Sequence, residues 1–260
     1  MWMDVVDLRD FYASDLGQMA RRLIRRRIRA AWPDTHGLSV LGLGYAVPFL
    51  HPFRAESTRV IAAMPAHQGV LHWPLENGGL TFLVDETELP LPDLSMDRVL
   101  LVHSLECTEQ VRIMMREVWR VLAPSGRLLV VVPNRTGLWA RLERTPFGHG
   151  RPYTQGQLRT ILRDCLFTPL ETDRALFMPP ARTRLMRSWS IAVENLGRRW
   201  LPALSGVVMV EATKQIYEPT GAVAPAKERP SMFPVTQPNR RHPMPSKRSA
   251  PARPHRPGVS

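Results

Sequence analysis

The sequence has few of the residues that mark secreted or membrane-spanning proteins. It contains two cysteines, Cys107 and Cys165, whose spacing forms neither a disulfide framework nor a metal site. The longest apolar runs, such as 128–133, are far too short to cross a bilayer. Acidic residues precede the first basic cluster at the N-terminus, which is the wrong order for a secretory signal. We therefore expect a cytoplasmic protein.

Acidic residues are also scarce, and the resulting positive charge is unevenly distributed. The chain has 35 lysines and arginines against 23 acids, a net charge of +12. Residues 219–260 hold eight of the basic side chains and the single acid Glu228, a net charge of +7. Because this segment is rich in proline and has hardly any apolar residues, burial cannot offset the entropy of ordering it. We predict a disordered Pro/Arg-rich basic tail over 219–260, which could bind nucleic acid.

Residues 1–36 are predicted to form an N-terminal helical region that packs on the main domain. Apolar residues share one face of a helix over Leu16–Ala31. Five arginines lie largely off that face: Arg21, Arg22, Arg25, Arg26 and Arg29. We interpret them as the solvated side of a docked helix, while contact with an anionic partner or membrane surface stays open.

Between residues 37 and 218, short β-rich runs alternate with helical patterns. The strands are predicted at 38–43, 59–62, 80–84, 98–102, 127–132, 168–176 and 206–212. One helix follows the apolar spacing of 111–122, and Thr154 with Gln157 makes a capping box for another. Residues 65–79 contain prolines and glycines without helical periodicity, which indicates a loop. This alternation predicts an α/β domain with a mostly parallel sheet.

Three stretches resemble a known family in their order and residues. They are Val40-Leu41-Gly42-Leu43-Gly44, the acidic turn Asp85–Pro92 followed by 95–99, and the long block Met115–Leu128. Together they resemble the class I S-adenosylmethionine-dependent methyltransferases, in the small-molecule-type branch. The resemblance implies a Rossmann-like doubly wound, mostly parallel seven-stranded sheet with a C-terminal antiparallel hairpin.

The resemblance also implies a cofactor, S-adenosyl-L-methionine, lying across the carboxyl ends of the central strands. The residues expected to bind it are Gly42, Gly44, Tyr45, Asp85, Glu86 and Trp73. Gly44 lets the backbone approach the ligand without a Cβ in the way. Trp73 could stack on the adenine, or it could anchor its loop against the sheet.

The first and second motifs depart from the family pattern. Gly42 stands where an acid is usual, and Ala46 and Pro48 replace further glycines. The end of the second strand reads Ala62-Ala63-Met64, without the acid that usually holds the ribose hydroxyls. Losing one charged hydrogen bond costs about 1.5–3 kcal/mol, so these departures favour weak cofactor binding unless another group substitutes.

Methyl transfer requires mainly proximity and orientation, with a base where the acceptor must lose a proton. His103 after the fourth strand and His149 in the following loop are the candidate catalytic bases. The loop after the fifth strand is a candidate substrate lid, with Asn134, Trp139, Arg151 and Tyr153 as its residues.

Three hypotheses about function follow. The chain is a methyltransferase acting on an unknown acceptor, with a small molecule slightly favoured; or it is an inactive binding protein that keeps the fold; or it binds nucleic acid or an anionic surface through its basic helix and tail. The enzymatic hypothesis requires a cleft at Gly44 that Tyr45, Pro48 and Trp73 leave open.

Overall fold

A seven-stranded sheet forms the centre of the protein. The computed structural model describes residues 4–74, 76, 78–180, 194, 197 and 202–215, and the predicted disordered tail lies outside them. The strands are β1 Ser39–Gly44, β2 Arg59–Pro65, β3 Thr81–Val84, β4 Met96–Val102, β5 Leu122–Pro133, β6 Phe167–Ala175 and β7 Val207–Lys214. The helices are α1 Val5–Ala13, α2 Asp15–Ala31, α3 Val47–Leu50, α4 Val111–Val121 and α5 Gln155–Asp164.

The strand order is β3-β2-β1-β4-β5-β7-β6. Strands β1 to β5 pair in parallel, and β7 pairs antiparallel with both β5 and β6. The predicted fold, a mostly parallel seven-stranded sheet ending in an antiparallel hairpin, is confirmed. The chain order reverses between β1 and β4, which is where open α/β sheets form a crevice at their carboxyl ends.

Both faces of the sheet are buried. Leu41 and Leu43 of β1 pack with α4 and α5 on one face, whereas Val40 packs with α1, α2 and α3 on the other. Neighbouring residues of a strand point to opposite faces, so an almost continuous apolar strand such as β1 is suited to a sheet covered on both sides.

The N-terminal helices contact the sheet through apolar side chains. Helix α2 begins after Ser14, whose side chain accepts from the Gly17 N–H. It buries Ala20, Leu23, Ile24 and Ile28, as its pattern predicts. Helix α1 was not predicted as a separate element. Asp4 caps it by accepting from the N–H groups of Val6 and Asp7.

The largest differences from the predicted strand boundaries are in β5 and β2. β5 begins at Leu122, directly after α4, instead of following a turn at 123–126. β2 continues beyond Ala62 to Pro65. The described residues of 66–80 hold no helix, as predicted. None of the helices in the described part of the chain combines the length and apolarity needed to cross a bilayer.

Candidate active site

The glycine turn closes tightly against β4. Gly44 ends β1 with φ +86°, and a Cβ there would lie 2.4 Å from the carbonyl oxygen of Val102. The next N–H, of Tyr45, donates to that same oxygen over 2.8 Å. Gly42 lies inside β1, where a Cβ would be 2.7 Å from the Cβ of Ala46. Both glycines therefore permit close packing within the protein itself.

Aromatic side chains cover this turn. Tyr45 is 3% exposed, and its ring stacks on Tyr12 of α1 with centroids 5.7 Å apart. Phe49 contacts the other side of Tyr12 edge-on, also at 5.7 Å. The turn is thus covered by Tyr45 and by α1, and not bare as the sequence comparison had suggested.

The acidic turn follows β3. Asp85 is exposed and accepts hydrogen bonds from the N–H and hydroxyl of Thr87, which lower the pKa of its carboxyl group. The Glu86 side chain is 13% exposed and lies 3.6 Å from His67, whose proximity lowers the pKa of that carboxyl group. Trp73 is partly buried, with the Arg54 guanidinium 5.6 Å from its ring centre.

The end of β2 lacks an acid, but a polar side chain lies nearby. Met64 is fully buried. Gln68 follows in the next turn, 2% exposed, and its amide N–H donates to the carbonyl oxygen of His103. Its Oε1 has no hydrogen-bond partner among the described residues. A buried acceptor without a partner is costly, so a ligand hydroxyl would be favourable there.

His103 lies directly after β4 at the centre of a buried hydrogen-bonded chain. Its Nε2 is 2.8 Å from the hydroxyl of Tyr12, and its Nδ1 is 3.2 Å from Oε1 of Glu106. The side chains of His103 and Glu106 are 3% and 1% exposed. The second carboxylate oxygen of Glu106 has no partner in the described part of the chain. An imidazole held by a buried carboxylate is an arrangement suited to proton transfer.

The other predicted base, His149, has a different environment. Its Nε2 bonds to the carbonyl oxygen of Glu143 within the same loop. Of the predicted lid residues, Asn134 donates to Ser205, and Trp139 is fully buried with its N–H bonded to Met178. These contacts tie the loop to the chain around β6 and β7.

The remaining lid residues border a separate groove. Arg151 and Tyr153 line a cavity of about 800 Å³ between the N-terminal end of α4 and α5, together with Arg112 and Arg135. Tyr153 also donates to the carbonyl oxygen of Leu105, two residues from His103. The structure therefore does not bring the four lid residues together around His103.

Sequence reasoning missed two residues that contact the site. Tyr12 lies in α1, 91 residues before His103, and no local sequence pattern connects the two residues. Glu106 lies three residues after His103, so the spacing His-x-x-Glu after a buried strand was a signal that could have been used.

This sheet order, with its reversal of chain order between β1 and β4, is that of the class I S-adenosylmethionine-dependent methyltransferases. The resemblance to that family is confirmed, because residues 46–130 match a family model described as a methyltransferase domain. The curated proteins compared with the chain gave no sequence match.

Solved structures share the fold. A methyltransferase from Thermotoga maritima, described as a possible histamine N-methyltransferase, is 16% identical with a TM-score of 0.58, over 81% of this chain and 96% of that one. One from Archaeoglobus fulgidus is 20% identical with a TM-score of 0.52, over 75% and 94%. The [4+2]-cyclase SpnF is 19% identical with a TM-score of 0.54, over 79% and 84%. Similarity at these identities establishes the fold.

Proposed function

We propose that the protein is an S-adenosylmethionine-dependent methyltransferase whose cofactor binds outside the carboxyl ends of β1 and β4. One observation carries the proposal: two buried acceptor oxygens, Oε1 of Gln68 and Oε2 of Glu106, have no hydrogen-bond partner among the described residues, and both side chains contact His103. Both lie at the switch point of the sheet, where α/β folds bind ligands. The match of 46–130 to a methyltransferase domain supports the same assignment.

The residues at the carboxyl ends of the central strands would hold a nucleoside cofactor, with Gln68 in place of the usual acid. Gln68 would accept from a ribose hydroxyl, replacing the acid that is absent at Met64. The turn at Asp85 and Glu86 would bind at the adenine end, and the backbone at Gly44 would border the sulfur-bearing end. When bound, the cofactor supplies an electrophilic methyl group on a sulfonium.

His103 is the candidate general base. Glu106 accepts from Nδ1–H of His103, which leaves Nε2 free to receive a proton from the methyl acceptor. Glu106 therefore acts as a positioning residue that fixes the tautomer and orients the ring. His149, the lid residues and the cytoplasmic location remain predictions. The methyl acceptor is unknown, and a small molecule is the favoured class.

Cofactor binding requires α1 to open. Helix α1 is attached at this edge by the Val5 N–H, which donates to the carbonyl oxygen of Gln68 over 2.7 Å, and by Tyr12, which bonds to His103. Because only the open population can bind, the apparent affinity is the intrinsic affinity multiplied by the open fraction.

Calorimetric titration with S-adenosylmethionine and S-adenosylhomocysteine tests the proposal. We expect both to bind, and Gln68→Leu to weaken binding about five- to tenfold through loss of one hydrogen bond of about 1 kcal/mol. Gln110→Leu is the matched control, because Gln110 is exposed at the start of α4. Equal affinity in the two variants would remove Gln68 from the site.

The alternative is a binding protein that keeps the fold without methyl transfer. The buried Met64 and the tyrosines over Gly44 favour it. The likeness to a [4+2]-cyclase illustrates that this fold also occurs in an enzyme of a different reaction class. No heat and no rise in melting temperature at millimolar cofactor would support this alternative over the enzyme.

A further inference from the structure

The groove between α4 and α5 brings together positive charges from three places in the chain. Arg112 belongs to α4, Arg135 follows β5, and Arg151 lies in the loop before α5. We call this cavity of about 800 Å³ the arginine groove. Asp164 is the single acid among its described lining residues, so three arginines against one acid leave a net charge of +2.

The acid offsets little of this charge. Arg112 and Asp164 are 3.9 Å apart, and their side chains are 83% and 50% exposed, so the attraction between them is weak. Arg135 and Arg151 are exposed and form no ion pair within the described residues. Helix α4 also begins at Val111 without a side-chain cap, which adds the positive end of its dipole to the groove.

The backbone that carries the two unpaired arginines is held in place. The N–H of Arg135 donates to the carbonyl oxygen of Tyr153 over 3.0 Å, and the N–H of Arg151 donates to that of Glu106 over 2.9 Å. Gly150 has φ +74°, and a Cβ there would lie 2.5 Å from the same carbonyl oxygen of Glu106. Because these positions are fixed beforehand, a ligand that binds both arginines orders less of the chain.

Uncharged side chains line much of the rest of the arginine groove. They include Val111, Pro152 and Ile161, which are partly buried, and the ring of Tyr153. Burial raises the pKa of the Tyr153 phenol and of the Cys165 thiol, so neither group adds negative charge near neutral pH. The groove therefore offers cations beside an apolar and aromatic wall.

We propose that the arginine groove binds an organic dianion, in which a phosphate monoester is joined to an apolar or aromatic body. The planar guanidinium group matches two phosphate oxygens, and a doubly charged phosphate balances the net charge of the lining. The cavity volume is within the range of small-molecule sites, about 300–1,000 Å³. No residue that we propose for the cofactor is among the described lining residues, so this inference goes beyond the proposed function and is independent of it.

Other classes of ligand fit the arginine groove less well. Inorganic phosphate pairs with the arginines but leaves Ile161 and the Tyr153 ring in contact with water. A neutral aromatic compound covers these two side chains but leaves the positive charges unbalanced. A divalent cation is repelled by three arginines. An aryl phosphate satisfies both halves of the lining.

Calorimetric titration of the full-length protein with phenyl phosphate, inorganic phosphate and phenol tests the inference. We expect phenyl phosphate to bind about tenfold more tightly than either of the other two compounds. The double substitution Arg135→Gln/Arg151→Gln should weaken its binding about tenfold, because both unpaired cations are removed. Arg163→Gln is the matched control, because Arg163 is an exposed arginine of α5 that does not line the groove.

Two further substitutions test each half of the lining separately. Asp164→Asn removes the acid beside Arg112, so we expect phenyl phosphate to bind about two- to fivefold more tightly. Loss of folding cannot produce such a gain. Ile161→Ala should weaken the binding of phenyl phosphate about threefold and leave that of inorganic phosphate unchanged, because it removes apolar surface alone.

Equal affinity for phenyl phosphate in the wild type and in the double arginine variant would overturn the inference, because basic residues elsewhere, such as those of 219–260, would then hold the anion. Inorganic phosphate that binds as tightly as phenyl phosphate would overturn it too. If the double variant is unfolded by circular dichroism, Asp164→Asn decides, and an unchanged or weaker affinity contradicts the inference. The titration with S-adenosylmethionine is a separate measurement, so failure here leaves the proposed function intact.

Discussion

Gly44 has a backbone conformation that other residues adopt only at a cost, and it has no room for a side chain. Its φ of +86° lies in the left-handed region, and the carbonyl oxygen of Val102 lies where a Cβ would clash. Gly37 has a similar φ of +72°, yet nothing lies within 4 Å of its Cβ position. Substituting alanine at Gly37 and at Gly44 therefore separates the energetic cost of a strained backbone from the cost of steric overlap.

We predict that Gly44→Ala lowers the free energy of unfolding by more than about 2 kcal/mol, because strain and overlap add. Gly37→Ala should cost only about 1 kcal/mol, the conformational part alone. Urea unfolding of both variants measures the difference. Equal losses would mean that the contact with Val102 is relieved without cost.

Glu56 is a second residue with a specific contribution to stability. Arg29 donates to both carboxylate oxygens, and the Thr35 hydroxyl donates to one of them. Hydrogen bonding to Arg29, then to Thr35, lowers the pKa of this carboxyl group from 4.5 to about 2. A folded-state pKa below the unfolded value stabilises the fold above pH 4.5, and the contribution is lost as the pH falls from 4.5 towards 2.

We therefore predict that Glu56→Gln lowers the melting temperature near neutral pH, and that the gap from wild type narrows as the pH falls below about 4.5. Melting curves across this range provide the measurement. Glu88→Gln is the control, because Glu88 is exposed and has no ion pair within the described residues. A gap that stays constant with pH would contradict the role of the charge.

At the scale of elements, helix α5 shows how a local signal fixes a boundary. The Thr154 hydroxyl accepts from the Gln157 N–H, and the Gln157 side chain accepts from the Thr154 N–H. This capping box was readable from two residues three apart, and the structure confirms it.

We predict that Thr154→Ala destabilises the protein by about 1 kcal/mol, while Thr154→Ser changes the stability little. Urea unfolding gives the free energies. Hydrogen exchange should also accelerate in the first turn of α5 in the alanine variant. If both substitutions cost the same, the methyl group of Thr154 and not its hydroxyl contributes to stability.

The sequence predicted the elements whose signals are local, and missed those defined by distant contacts. The strands of the sheet and helices α2, α4 and α5 follow apolar periodicity, and the glycine turn at Gly44 marks the switch point. Helix α1 is short and has acids at Asp7 and Asp10, and only its tertiary contacts place it over β4. Tyr12 was unpredictable for that reason, while His103 was identified from its place after a strand.

At the scale of the whole molecule, more than half of the net positive charge lies in residues 219–260, beyond the compact unit that holds the sheet. Residues 1–217 form one compact unit, which contains every helix and strand of the described residues. The segment 219–260 carries eight basic side chains and one acid. Binding to polyanions by such a segment depends on counterion release and weakens steeply with salt.

We predict that truncation after Tyr217 leaves the melting temperature unchanged and removes most salt-sensitive binding to single-stranded DNA. Fluorescence anisotropy of a labelled oligonucleotide at increasing salt, with full-length and truncated protein, tests both parts. If the truncated protein keeps its DNA affinity, the exposed arginines of α2, such as Arg22 and Arg25, become the better explanation.

Helix α1 precedes β4 by many residues, and this order has a consequence for synthesis. Tyr12 and His103 are 91 residues apart, so α1 is synthesised long before the histidine that its tyrosine contacts. Helix α1 cannot form this contact before His103 has been synthesised. Closing so long a loop is also slow relative to forming contacts between residues that are close in sequence. We therefore expect the contact between α1 and the end of β4 to form late in folding.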